Sequence, residues 1–546
     1  MGPALALLGL VGCGAGVIAD VDDLEPSSDS GGATDTDGVS DTDTDGGSDA
    51  DTDGPSGAGC GLVVDLDTPY FSEGDEVSMT VGCTSGLSPA DAGVEVVGLP
   101  DGAVFGSGSG RLEWETDGRD GGRFDLTFTA PVPDGGPPES VVTTFWVADD
   151  PGAPGARAPD PLTYTEEWGL PVVHIEVGRP MRESEQPAVI TVRGKQVEGA
   201  AKIRGAFSSS YTKPSYTLDF DSDELGVAEW GDRTRGHMVL ITAFDDISYV
   251  RQKLVYDLWA EMAAFQDAER LTPRTFFTVV YLDGEYQGLY TGCDRIDDEF
   301  VRHMGFEDGE GNLYKAVSHD ANFKLERAGG GPKSWLGAGY EKAEGLPADD
   351  FSDLEALVAG VGAASDAEIA SGAYPIQLDE FMDWFLLVTY TLAEDSAGKN
   401  SYLYTGPDSP DFRFIPWDFN HSWGQDWRTL RELPNTENEY RWNNRIFIAL
   451  QDDPTLRAAL DARATALHLD GPLNAAWVGE QLDAYYETLG PSPARDWAHW
   501  RSAHRSFSGW ASLRNSANDW QEHDGEVAYL RDWVIARDVW FEAWLP

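Results

Sequence analysis

The run Asp395-Ser396-Ala397-Gly398-Lys399-Asn400-Ser401-Tyr402-Leu403-Tyr404, followed by Phe412-Arg413-Phe414-Ile415-Pro416-Trp417-Asp418-Phe419-Asn420, decides how this 546-residue chain is read. It sets an Asp and an Asn five residues apart, then two strand-like stretches joined by a turn, then Asp-Phe. Phosphoryl transfer asks for such a set: one carboxylate beside the acceptor hydroxyl, and further oxygen ligands for a cation that bridges the phosphates. Kinase catalytic loops supply Asp and Asn at this spacing, with an Asp-Phe-Gly triplet after a short hairpin. Taken singly, each residue reads equally well as a turn or cap residue in a chain with 95 Asp and Glu. The weight lies in the run as a whole and in what surrounds it.

Upstream of the run, Val172-Val173-His174-Ile175-Glu176-Val177, Tyr216-Thr217-Leu218-Asp219-Phe220 and Phe277-Thr278-Val279-Val280-Tyr281-Leu282 read as strands. Helical patterns cover 378–392, 475–489 and 526–544. A strand-rich half followed by a helix-rich half predicts a two-lobed α+β domain over residues 167–546. Several further motifs stand in order along it. They are Ile203-Arg204-Gly205 with Thr212-Lys213-Pro214-Ser215-Tyr216, Asp245-Asp246-Ile247-Ser248-Tyr249-Val250-Arg251, Tyr281-Leu282-Asp283-Gly284-Glu285-Tyr286-Gln287-Gly288-Leu289-Tyr290, Gly311-Asn312-Leu313-Tyr314-Lys315 and Trp533-Val534-Ile535-Ala536-Arg537.

Together with Ala393-Glu394-Asp395, Lys399-Asn400-Ser401-Tyr402 and Pro416-Trp417-Asp418-Phe419-Asn420, these motifs closely resemble the CotH family of atypical protein kinases, over about residues 170–546. The resemblance implies a protein-kinase-like fold with ATP and Mg²⁺ as cofactors. It implies Asp395 as the catalytic residue that orients the acceptor hydroxyl, and Asp418 and Asn400 as the metal ligands. It implies Lys213 as the phosphate-contacting lysine, one of nine lysines in the chain, paired with an acidic residue. Arg204, Arg251 and Lys315 follow as further candidates for phosphate contact or lobe packing. The chain departs from the family in two places. Cys293-Asp294 stands where the family has Glu, so the lysine's partner would be Asp294, and Asn420 replaces a frequent second Asp.

Ahead of this domain, the segment 60–148 alternates apolar and polar residues in short runs separated by Gly, Pro and Asp, which predicts a small all-β sandwich. Part of it, Gly98 to Phe105 with Gly110 to Trp114, resembles the Ig-like repeats of bacterial surface proteins. Cys60 and Cys83 flank one predicted hairpin and are expected to pair in an oxidising compartment. Residues 149–166 form a Pro/Gly-rich linker. Residues 14–59 are an Asp/Thr/Gly/Ser-rich tether that cannot bury enough apolar surface to fold. Residues 1–13, with the apolar run Ala4 to Val11 and Leu10-Val11-Gly12-Cys13, resemble a bacterial lipoprotein signal ending in a lipidated Cys13. That resemblance implies export and a lipid anchor, at the outer membrane or cell surface, as the means of membrane attachment.

The net charge of −57 argues against nucleic acid or an anionic bilayer surface as a partner. The nine histidines show no zinc-ligand spacing, and no Gly-x-Ser-x-Gly or Walker A sequence is present. The tryptophans near the C-terminus, Trp497 to Trp544, read as helix packing rather than a carbohydrate platform. Two functions fit. One is an exported atypical kinase that phosphorylates Ser or Thr of a secreted or surface protein. The other is a weak or inactive surface binding or adhesion protein on the same scaffold.

Overall fold

The computed structural model describes residues 59–221, 225–226, 234–306, 311–407, 409–437, 439–507 and 522–546. The expected signal segment with Cys13, and the expected tether up to residue 58, lie outside the described residues. Residues 57–546 form one compact unit.

Eight short strands come first: β1 Leu62–Asp65, β2 Tyr70–Ser72, β3 Glu76–Cys83, β4 Glu95–Val97, β5 Val104–Gly106, β6 Arg111–Glu115, β7 Gly122–Ala130 and β8 Glu139–Ala148. They make two four-stranded sheets, β1-β3-β6-β5 and β2-β8-β7-β4. Alternation drives the packing, since successive side chains on a strand face opposite ways. Val77, Met79 and Val81 of β3 and Leu112 and Trp114 of β6 meet Leu126, Phe128, Phe145 and Val147 of the other sheet in one core. A disulfide between Cys60 and Cys83 ties the start of this module to the end of β3.

Buried Glu73, next to β2, accepts hydrogen bonds from the backbone N–H of Gly121 (2.9 Å) and of Asp150 (3.2 Å), and so staples the linker to the sandwich. Burial, reinforced by Asp149 and Asp120, outweighs those two bonds and pushes its carboxyl up to about 7. An acid whose folded pKa is raised holds its proton longer in the folded chain than in the unfolded one. Stability therefore falls as pH rises from about 4.5 to about 7 and is level above that. Glu73→Gln is expected to flatten this slope, by about 2 kcal/mol between pH 5 and pH 8 in urea unfolding. An unchanged slope would refute the assignment.

The next strands are β9 Glu166–Glu167, β10 Leu170–Glu176, β11 Gln186–Val192, β12 Lys195–Arg204, β13 Ser215–Phe220, β14 Leu225–Gly226, β15 Thr234–Arg235, β16 His237–Thr242, β17 Thr275–Leu282 and β18 Glu285–Cys293. Hydrogen bonding runs β11-β12-β13-β16-β18-β17-β10-β9, and β10 also pairs with β11. Seven strands thus close on themselves as a barrel. Val173 and Ile175 of β10 pair with β11 on one side and lie parallel to β17 on the other. Residues of one parity fill the interior: Val173, Ile175, Ile190, Leu218, Met238, Leu240, Phe276 and Val280. Their neighbours Val172, Val239, Phe277 and Val279 face outward into a second, larger core.

That larger core belongs to the helices: α1 Arg251–Phe265, α2 Asp298–His303, α3 Ser352–Ala363, α4 Asp366–Ala370, α5 Leu378–Thr391, α6 Arg445–Asp452, α7 Pro454–Leu469, α8 Ala475–Leu489, α9 Ser492–Ser506 and α10 His523–Trp544. Helix α5 is buried at almost every position, as expected of a central helix that is apolar nearly all round. Its Trp384 stacks on Phe414 with ring centroids 4.3 Å apart. A four-stranded antiparallel sheet, β20-β19-β21-β22, packs beside α5; its strands are β19 Asn312–Ala316, β20 Tyr340–Glu344, β21 Ser401–Gly406 and β22 Ser409–Pro416. The chain is thus a mixed α and β protein. No described helix is long and apolar enough to cross a membrane.

Candidate functional site

Strand register builds the site. Ala316, Ser401 and Pro416 stand side by side on β19, β21 and β22. The residues just beyond that row, Asn400 before β21 and Asp418 after β22, are therefore carried to the same end of the sheet although 18 positions apart. Asn400 Nδ2 donates to the Asp418 carbonyl oxygen at 3.4 Å. Both residues have positive φ, 58° and 62°, a left-handed conformation that Asn and Asp tolerate better than most residues. Helix α5 delivers Asp395. It stops at Leu392, also left-handed at φ 53°, and the chain turns through a 3₁₀ segment at Glu394–Ser396. Trp384 Nε1 pins that turn by donating to the Ser396 carbonyl (2.8 Å), and Asn444 Nδ2 donates to the Ala397 carbonyl (2.9 Å).

Two side chains hold the Asp395 carboxylate: Lys399 Nζ at 2.7 Å, four residues on, and His319 Nε2 at 3.3 Å. Burial would raise its pKa, but the His319 hydrogen bond and the Lys399 charge prevail and bring it down to about 2. Asp395 is ionised throughout the ordinary pH range. Its contribution to stability is present above pH 4 and lost as the pH falls toward about 2.

Asp418 differs in character. Its residue is exposed, and no ion pair or hydrogen bond to its carboxylate is formed among the described residues. The enclosing protein and nearby Asp245 push its pKa up, while His421, Lys315 and Arg204 pull it down. Behind it, buried Asp245 gathers Tyr211 Oη (2.9 Å), Asn420 Nδ2 (2.6 Å) and His421 Nε2 (3.4 Å) on one oxygen. Asn420 thus takes away a charge that Asp245 restores from another segment. Among the described residues, no three His, Cys, Asp or Glu side chains form a metal cage. Asp418 and Asn400 suit an octahedral cation that takes its remaining ligands from water and phosphate, as Mg²⁺ does.

Beside Asp418 the cleft continues as a 260 Å³ pocket lined by Lys202, Arg204, Arg295, Tyr402, Trp417 and neighbouring residues. Arg204 lies over the Trp417 ring at 5.0 Å, and Lys315 over Tyr402 at 5.9 Å. Lys202 is paired with Glu185 and Arg295 with Asp219. Glu344 also lines the pocket, so the gathering of Lys202, Arg204 and Arg295 faces it beside one carboxylate.

Lys213 and Arg251 are not part of that gathering. Lys213 is 1% exposed and donates to Asp496 Oδ1 (2.6 Å) and to the Leu289 carbonyl (2.7 Å). A phosphate could reach it only by displacing Asp496. The expected Lys213–Asp294 pair is not formed. Asp294 lies five residues beyond Leu289, roughly 16 Å along an extended strand, and binds Arg235 Nε at 2.9 Å. Arg251 is fully buried between Asp246 (2.6 Å) and Glu526 (2.8 Å), a packing role. The sequence reading missed Lys202, Arg295, Asp245, His319 and Lys399. Of these only Lys399, four residues after Asp395, carried a local signal.

The fold and this cleft define a mixed α and β protein with an Asp–Asn–Asp set beside a cationic pocket. The chain belongs to the CotH kinase protein family, which matches residues 201–541. It is similar to inner spore coat protein H of Bacillus subtilis (strain 168), 27% identical over 245 residues, which is 44% of this chain and 63% of the relative. The chain thus spans less than two thirds of that relative's length.

Proposed function

We propose that this chain is an exported protein kinase that transfers the γ-phosphoryl group of ATP, with Mg²⁺, to a Ser or Thr hydroxyl of a secreted or surface protein. The observation that carries the reading is the meeting of Asn400 and Asp418 at the end of one sheet, with ionised Asp395 close enough that it and Asp418 both act on the His421 imidazole. Asp395, at about 2, is too weak a base to remove a proton early. Its part is to accept the hydrogen bond of the acceptor hydroxyl and aim it, which suits a loose transition state with little early bond formation. As the hydroxyl oxygen bonds to phosphorus and the bond to ADP breaks, the acceptor proton passes to that carboxylate. Asp418 and Asn400 would hold Mg²⁺, which neutralises charge on the phosphates. Arg204 and Lys315, with Lys202 and Arg295, take the phosphate-binding part first expected of Lys213.

The relative is by name a coat protein, which supports a surface-associated position. Attachment through lipidated Cys13 remains part of the proposal. A second reading, a binding protein that keeps the fold without turnover, draws on Lys213 being locked under Asp496. Incubating the purified chain with Mg²⁺ and γ-labelled ATP separates the two. Label on the chain or on added casein, lost with EDTA and in Asp418→Ala, is expected. No label, or equal label in Asp418→Ala, would sink the kinase reading.

A further inference from the structure

A cavity of 930 Å³ lies away from the Asp395 cleft, where the sandwich and linker meet the β17–β18 hairpin and α9. Its size is that of a small-molecule site. Its inner wall is made of fixed parts. Trp168 donates its indole N–H to the Phe71 carbonyl (2.7 Å), which joins the two β-rich modules. Arg495 lies over Tyr286 at 4.1 Å and over Trp168 at 5.6 Å, and binds Glu167 at 2.6 Å. Toward solvent, α9 presents exposed His499 and half-buried Trp500, ring centroids 4.8 Å apart. Trp500 Nε1 is already spent on the Gln287 carbonyl (2.8 Å), so a ligand meets its ring and not its donor. Asp150 and exposed Glu285 also line the space.

Charge selects among ligands. Asp149, Asp150 and Glu285 oppose an anion, and the inner aromatic faces that would hold a cation, Tyr286 and Trp168, already carry the Arg495 guanidinium, itself paired with Glu167. A wholly apolar ligand would strip water from these carboxylates without replacing their hydrogen bonds. What remains is a neutral molecule with flat apolar faces and many hydroxyl groups. Sugar rings have both: C–H faces for His499 and Trp500, and hydroxyls that donate to carboxylates. We infer that this cavity binds a neutral oligosaccharide, a function separate from phosphoryl transfer.

The full chain is to be titrated with cellotetraose, maltotetraose and chitotetraose, followed by saturation-transfer NMR. At least one is expected to bind in the millimolar range or tighter. That binding should weaken about ten-fold or more, some 1.4 kcal/mol, in Trp500→Ala and also in His499→Ala, whose exposed ring can be removed without unfolding the chain. Trp335→Ala, outside the cavity, should leave it unchanged. The inference is overturned if none of the three binds, or if binding survives both cavity variants. It is equally overturned if tetramethylammonium or inositol hexakisphosphate displaces the sugar.

Discussion

Asp395→Ala is expected to lower phosphoryl transfer by about 10²–10⁴-fold while leaving the affinity for ATP with Mg²⁺ within about two-fold. The split follows from position. Asp395 is held by Lys399 and His319; in the proposed kinase reading it faces the acceptor, while Asp418, Asn400 and the pocket at Arg204 serve the nucleotide phosphates. Asp395→Asn keeps shape and burial but cannot take the acceptor proton, so it should lose nearly as much. Steady-state rates against ATP and against acceptor give the test. A rise in KM for ATP with unchanged kcat would place Asp395 in nucleotide binding and contradict the assignment.

Arg251→Ala is expected to cost about 3–5 kcal/mol of stability, the range for breaking a buried ion pair from one side. Arg251 is the first residue of α1. Its guanidinium bridges Asp246, ahead of the helix, to Glu526 on α10, and neither acid is exposed. Removing it strands two carboxylates in the interior, with Arg431 left to serve Glu526 at 3.3 Å. Arg251→Met with Glu526→Leu should recover part of the loss, because it removes one stranded charge together with its partner. Urea unfolding measures both. A loss below about 1 kcal/mol for Arg251→Ala would show that the triad contributes little.

The elements were legible wherever their pattern is local. Strands at 216–220 and 277–282 and helices at 378–391 and 475–489 follow from alternation and from helical spacing. The meeting of Asn400 and Asp418 was legible for the same reason, since a hairpin pairing Ser401 with Pro416 leaves little choice about where its flanking residues lie; the roles given to them and to Asp395 came from the family resemblance. Closure of the barrel was not. It depends on β10 bonding both to β11, its neighbour in sequence, and to β17, about a hundred residues on. The fate of Lys213 was equally hidden, because Asp496 lies 283 positions away. Asp294, placed by resemblance opposite that lysine, was claimed by Arg235 across the strands. Contacts of that range leave no mark on the residues around either partner.

The pairing of two early buried cations, Lys213 ahead of β13 and Arg251 at the start of α1, with late helices has a consequence for how the chain is made. Lys213 and Arg251 leave the ribosome well before Asp496 of α9 and Glu526 of α10. Until those helices arrive, two interior positions hold charges with an incomplete set of partners. A chain synthesised from the N-terminus onward can finish its disulfide-linked sandwich early. The larger domain has its full set of buried ion pairs only once α9 and α10 are in place.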